Sequence, residues 1–90
     1  MFSIIIPAHN EEKYIVNTLS HIQKLLHPRE FFEVIVVENG STDNTYAIAK
    51  KFEDKHIKIF TTKERGVSRA KNFGVKHISS MSKWIIFLDA

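Results

Sequence analysis

There is no cysteine among the 90 residues, so disulfides, thiolate metal sites and cysteine nucleophiles are excluded. Glycine and proline are scarce, three and two residues, which argues against a linker or a low-complexity chain. The glycines Gly40, Gly66 and Gly74 stand far apart, so the Gly-x-Gly-x-x-Gly turn of a dinucleotide-binding dehydrogenase is missing. Long apolar runs are missing as well. Ile4-Ile5-Ile6 and Trp84 to Leu88 fall far short of the ~20 residues a bilayer span needs. No basic segment precedes the first of them, so Met1-Phe2-Ser3 does not read as a signal peptide. The expectation is a chain of the reducing cytoplasm, at most at the cytoplasmic face of a membrane, without a membrane span of its own.

What is present is globular: 43% of residues are hydrophobic and 26% charged. Ninety residues suffice for one small domain of modest stability. The net charge of +3 is too mild to call for a nucleic acid partner, but its placement is uneven. Lys63, Arg65, Arg69, Lys71 and Lys76 share a stretch with a single acid, Glu64. That stretch either faces an anionic ligand or forms a solvated helix face. The histidines show no spacing of a metal site.

Four apolar segments of strand length, Phe2–Ile6, Phe32–Val37, Ile57–Thr61 and Lys83–Leu88, are rich in β-branched residues. Their near-continuous hydrophobicity fits parallel strands covered on both faces. Between them, Ile15, Leu19, Ile22 and Leu26 recur at helical spacing and His27-Pro28 stops the pattern. Ser41-Thr42-Asp43 supplies N-cap candidates for a second helix facing inward through Ile48, Ala49 and Phe52. Val67, Ala70, Gly74 and Ile78 make a third stripe, with Gly74 allowing close helix–sheet contact. The order β-α-β-α-β-α-β predicts an α/β, Rossmann-like doubly wound parallel sheet of about four strands, order 3-2-1-4, with helices on both faces. Ligands of such sheets bind at the carboxyl ends of strands beside the point where strand order reverses.

The segments leaving the strands are polar: Pro7-Ala8-His9-Asn10-Glu11-Glu12, Glu38-Asn39-Gly40-Ser41, Lys63-Glu64-Arg65-Gly66 and Asp89. Asn-Gly-Ser is also a common turn, and Glu11 also suits the first turn of a helix. A receiver-type signalling module would need clustered acids after the first strand and a phosphoacceptor aspartate, which the Pro7–Asn10 turn and Asn39 do not supply.

Ile4 to Glu12, Val36 to Thr45, Gly66 to Gly74 and Ile85 to Ala90 resemble, in order and spacing, the four consecutive signatures of family 2 glycosyltransferases. The resemblance spans essentially the whole chain. It implies that residues 1–90 are the amino-terminal, nucleotide-binding half of an incomplete, truncated GT-A domain. The implied ligand is a nucleotide-sugar donor, commonly a uridine diphosphate sugar, whose sugar passes with inversion to a hydroxyl of a carbohydrate or lipid-linked acceptor. By the same resemblance Pro7, Ala8, His9, Asn10 and Glu11 lie along the nucleoside, with backbone groups meeting the base, His9 packing flat beside it and Glu11 accepting from ribose hydroxyls. Glu38-Asn39 stands where the family commonly has Asp-Asp, and the Asn39 carbonyl can accept the imide N–H of uracil. Lys71 replaces the arginine of the third signature, keeping the charge and losing the planar fork, and Arg65 and Arg69 are alternative contacts to the diphosphate. Asp89 opens an Asp-X-Asp motif for Mg2+ or Mn2+ whose second carboxylate belongs after Ala90.

No catalytic base is assigned within the chain, since the family places it further along. The isolated chain is therefore expected to be inactive. The competing expectation is a non-catalytic nucleotide-binding or interaction module built on the same fold. Trp84 to Phe87, close to the terminus, suggest self-association through an uncovered edge.

Overall fold

The computed structural model describes residues 1–26, 28, 31–63 and 66–88, apart from the side chain of Val67. Its elements alternate: β1 (Phe2–Ala8), α1 (Ile15–Leu25), β2 (Phe32–Asn39), α2 (Thr45–Lys50), β3 (Ile57–Thr62), α3 (Val67–Lys76) and β4 (Trp84–Phe87). The four strands form one sheet of order β3-β2-β1-β4, parallel throughout. Fold class and strand order are thus as the sequence predicts.

Side chains alternate across the sheet and separate two cores. Ile4, Ile6 and Ala8 of β1, Val34 and Val36 of β2 and Ile57 and Ile59 of β3 meet Ile15, Leu19 and Ile22 of α1 and Ala49 of α2. On the opposite face Ile35 and Val37 pack against Ala70 of α3, with Phe60, Phe73 and Ile78 around them. Helices therefore cover both faces of β1 to β3, whereas β4, expected to be covered like the others, is exposed along its whole length. Three expected stripe residues lie past their helices: Leu26 caps α1 in an extended conformation, while Phe52 and Ile78 follow α2 and α3. All three still join the cores.

Gly74 presses α3 onto β1. A Cβ at this position would stand 2.6 Å from Ile5 Cγ2, and Ile5 is fully buried, so any larger residue must displace a packed side chain. At the amino-terminal end of β1, Ser3 Oγ donates to Glu33 Oε2 at 2.6 Å and lies 2.6 Å from Ser82 Oγ. The Ser79 amide donates to the same carboxylate at 2.8 Å. This carboxylate fastens the connection from α3 to the sheet and so fixes where β4 starts.

β1, β2 and β3 run further than the apolar runs suggest, whereas β4 is shorter than the expected Lys83–Leu88 segment. Pro7 pairs with Val37 and Ala8 with Glu38, and both Pro7 and Ala8 are buried. Proline is tolerated here for a topological reason. Ile5 turns its carbonyl toward β4, accepting from Leu88 N at 3.0 Å. Pro7, two residues on, faces the same side beyond the last β1–β4 pair, Ile5 with Phe87, so its missing N–H costs no ladder bond. Pro7 and Ala8 are accordingly strand residues, and the turn expected from Pro7 onward begins at His9.

Candidate functional site

The carboxyl ends of β1 and β2 and the entry to α3 are fastened to one another by their own polar groups. His9 Nδ1 donates to the Asn39 carbonyl at 2.7 Å, which leaves Nε2 to accept from Asn10 Nδ2 at 3.4 Å. Asn39, only 4% exposed, donates from Nδ2 to the Gly66 carbonyl at 3.3 Å. Gly66 has a φ of 108°, a conformation that disfavours any side chain, and it stands just ahead of α3. The chain His9–Asn39–Gly66 thus fixes three loop entries with two hydrogen bonds.

Asn10 adopts a φ of 54°, which asparagine tolerates better than most residues. Its Oδ1 accepts from the Thr42 amide at 2.8 Å, and its own amide donates to Ser41 Oγ at 3.0 Å. The Glu11 amide donates to Thr45 Oγ1 at 2.9 Å and the Glu12 amide to Asp43 Oδ2 at 3.3 Å. The residues following β2 were expected as N-caps of the second helix. Asp43 does meet the helix start, its Oδ1 accepting from the Thr45 amide at 3.0 Å, although the residue at the N-cap position is Asn44, with no side-chain cap bond. Ser41, Asp43 and Thr45 also turn to the amides of the β1 loop. No local spacing signals these contacts, because the partners lie 31 to 34 residues apart.

Glu38 points to the other face of β2. It is 5% exposed, and it accepts from the Ser41 amide at 2.5 Å and from the Thr61 hydroxyl at 2.8 Å. Sequence reasoning noted Glu38 only as a substitute for aspartate. Here it is the brace that shapes the β2 turn. Glu11 is half-buried, and its carbonyl closes the turn onto Tyr14 and Ile15. Since α1 starts at Ile15 with no acid in its first turn, the alternative of Glu11 as a helix-dipole partner is set aside.

The Asp43 carboxyl is held below its ordinary value of 3.8, first by the Thr45 hydroxyl and then by the amides of Thr45, Glu12 and Asp43 itself, against an opposing desolvation. A value lowered in the folded state means that the carboxylate's contribution is present above the unfolded value and is lost as pH falls through the folded one. Acidification below about pH 4 should therefore free the Glu12 and Thr45 amides before the sheet unfolds. An amide NMR pH titration checks this: the two resonances should titrate together with Asp43, and Asp43→Asn should remove that step.

The other expected site residues are more dispersed. Lys71 Nζ lies over the Phe87 ring, 5.3 Å from its centroid, and so sits on the β4 side of α3. Arg69 lines a separate cavity with Lys63 and Lys76. Arg65 and Asp89 lie outside the described residues. Among the described residues no group of three or more His, Asp or Glu could hold a metal ion, and no helix is long and apolar enough to cross a membrane.

Comparison with known proteins gives the following. The family model described as glycosyl transferase family 2 matches residues 3–90. The chain is 36% identical over 94 residues to the minor teichoic acid biosynthesis protein GgaA of Bacillus subtilis, covering 100% of this chain and 21% of that protein. It is 34% identical over 92 residues to the poly(ribitol-phosphate) beta-N-acetylglucosaminyltransferase TarS of Staphylococcus aureus, covering 99% of this chain and 16% of that one. The crystal structure of TarS 1-349 in complex with UDP-GlcNAc matches with a TM-score of 0.87 at 33% identity, over 98% of this chain and 26% of that one. The Pyrobaculum calidifontis mannosyltransferase PcManGT, solved with GDP-Man and Mn2+, matches with a TM-score of 0.79 at 29% identity, over 87% of this chain and 24% of that one.

Proposed function

The chain belongs to glycosyl transferase family 2, and on that premise we propose that residues 1–90 form the half of a GT-A domain that binds a uridine diphosphate sugar. The observation that carries this reading is the hydrogen-bonded junction of His9, Asn39 and Gly66 at the carboxyl ends of adjacent parallel strands, the place where such sheets receive nucleotides. The UDP-GlcNAc complex of TarS supports a uridine donor, while the GDP-Man complex of PcManGT means that the base must be argued from this chain's own atoms.

Asn39 supplies that argument. With Nδ2 committed to the Gly66 carbonyl, the amide presents Oδ1 as an acceptor, which suits the imide N–H of uracil. Cytosine carries an acceptor at that ring position, which Oδ1 repels and only the second N–H of Nδ2 could meet, so the presented oxygen favours uracil. In the same reading His9, anchored through Nδ1, lays its ring beside the base. Asn10 holds the turn, Pro7 and Ala8 place the end of β1 beneath the nucleoside, and Glu11 accepts from the ribose diol. Arg65 and Lys71 meet the diphosphate, Lys71 by leaving the Phe87 ring.

Asp89, as a hard oxygen donor, would serve as the first carboxylate toward Mg2+ or Mn2+, and the bound cation would offset charge on the departing nucleoside diphosphate. The transfer is a single displacement with inversion to a carbohydrate or lipid-linked hydroxyl. A carboxylate base outside residues 1–90 takes the hydroxyl proton, so this chain by itself should show no sugar transfer.

Calorimetric titration tests the reading. UDP should bind more tightly than CDP, Asn39→Asp should keep UDP binding, and Asn39→Leu should weaken it by at least about tenfold, the cost of losing one hydrogen bond in a partly buried site. Equal affinity for UDP and CDP in the native chain would refute it.

The proposal extends to assembly. Trp84 is 63% exposed, and Ile85, Ile86, Phe87 and Leu88 are all exposed with it on an edge strand. Such a contiguous apolar edge favours pairing with a second copy of the 90-residue chain.

A further inference from the structure

The cationic stretch from Lys63 to Lys76 is only partly absorbed by the nucleotide cleft. Arg69, Asn72, Phe73 and Lys76 recur at steps of three and four residues and so share one flank of α3. With Thr62 and Lys63 from the end of β3 they line a cavity of about 370 Å³. This flank is turned toward β3, as the edge contact of Phe73 with Phe60 shows, with ring centroids 5.9 Å apart. Lys71, by contrast, lies on the β4 side, and Ala70 and Gly74 face the sheet. The cavity adjoins the His9–Asn39–Gly66 junction, since Thr62 pairs with Asn39, but none of His9, Asn39 and Gly66 is among its lining residues.

Three of the lining side chains are cations, one is an amide, and none of the described lining residues is an acid. Glu64 and Arg65, adjacent in sequence and opposite in charge, lie outside the described residues. We propose that this cavity is a phosphate-binding site, distinct from the donor cleft, that takes the phosphate group of a small phosphate or phosphate ester. Several cations spread around a concavity suit a tetrahedral dianion, whose oxygens point in different directions, better than a planar carboxylate. The volume lies at the lower end of the range for small-molecule sites and leaves room for a short ester substituent.

The test is an amide NMR titration of the chain with inorganic phosphate, with glycerol 3-phosphate and with UDP, at constant ionic strength set by chloride. Both phosphates should shift Asn72, Phe73 and Lys76 with saturation and leave His9 in place, while Thr62, paired with Asn39, reports on both places. The double variant Arg69→Gln, Lys76→Gln, exposed at both positions, should weaken binding by at least about tenfold. Tighter binding of glycerol 3-phosphate identifies the occupant as an ester, and equal binding identifies free phosphate. Shifts that never saturate, an affinity unchanged in the double variant, or UDP moving these same resonances with equal affinity would each overturn the proposal. A failure of UDP to move His9 and Asn39 counts against the donor cleft alone.

Discussion

Glu38→Ala is expected to destabilise the chain by about 3 kcal/mol, through the loss of two buried side-chain hydrogen bonds at about 1.5 kcal/mol each. Both bonds span junctions. One fixes the Ser41 amide in the turn after β2 and the other reaches Thr61 on β3. For a domain this small the loss corresponds to about 15 °C in the thermal midpoint, a large part of a total stability of about 5 kcal/mol. Glu38→Gln keeps one carbonyl acceptor and should lose about half as much. Because Ser41 also receives the Asn10 amide, amide exchange at Asn10 should quicken in Glu38→Ala more than exchange in the centre of β1. A thermal midpoint within a few degrees of the native chain would show that Glu38 is not a brace.

The second large effect concerns assembly. The 90-residue chain should sediment as a dimer at about 10 μM, with the two copies pairing β4 to β4 about a twofold axis, the usual symmetry of a self-complementary patch. Ile85 and Ile86 point to opposite faces of this edge strand, since they pair with Ser3 and Ile4, and both stand exposed. A lysine at Ile86 would place a charge in the middle of the buried edge and should weaken the dimer by about a hundredfold. Circular dichroism of the variant separates this from unfolding. A native chain that remains monomeric at that concentration would remove the assembly proposal and leave the nucleotide site untouched.

How far the sequence foretold these features depends on the range over which each was determined. The strand order and the two helix-covered faces were legible because burial imposes a period on nearby residues, such as Ile15, Leu19 and Ile22, and because parallel crossovers have few solutions. Gly74 was legible for the same reason, as a small residue on a stripe that must meet the sheet. The strand ends were not. Pro7 and Ala8 look like a turn by local preference, yet pairing with Val37 and Glu38 extends the strand. Ser41 to Asp43 look like helix caps for the same local reason, and Asp43 does take the first amide of α2, while the further partners, Asn10 to Glu12, come from the other end of a crossover. The cationic stretch could be counted in advance, but only the winding of α3 divides it between the sheet edge at β3 and the Phe87 ring. Residues of the site were thus named by resemblance and pattern, and the hydrogen bonds that join them came from tertiary structure.

Donor recognition at this site requires the base to be held at the ends of β1 and β2. A crystal structure of the chain with UDP tests this directly. It should place the uracil N3 within hydrogen-bonding distance of Asn39 Oδ1, with the His9 ring beside the base and the ribose hydroxyls at Glu11. A nucleotide found instead in the cavity between α3 and β3, or on the outer face of α1, would contradict it.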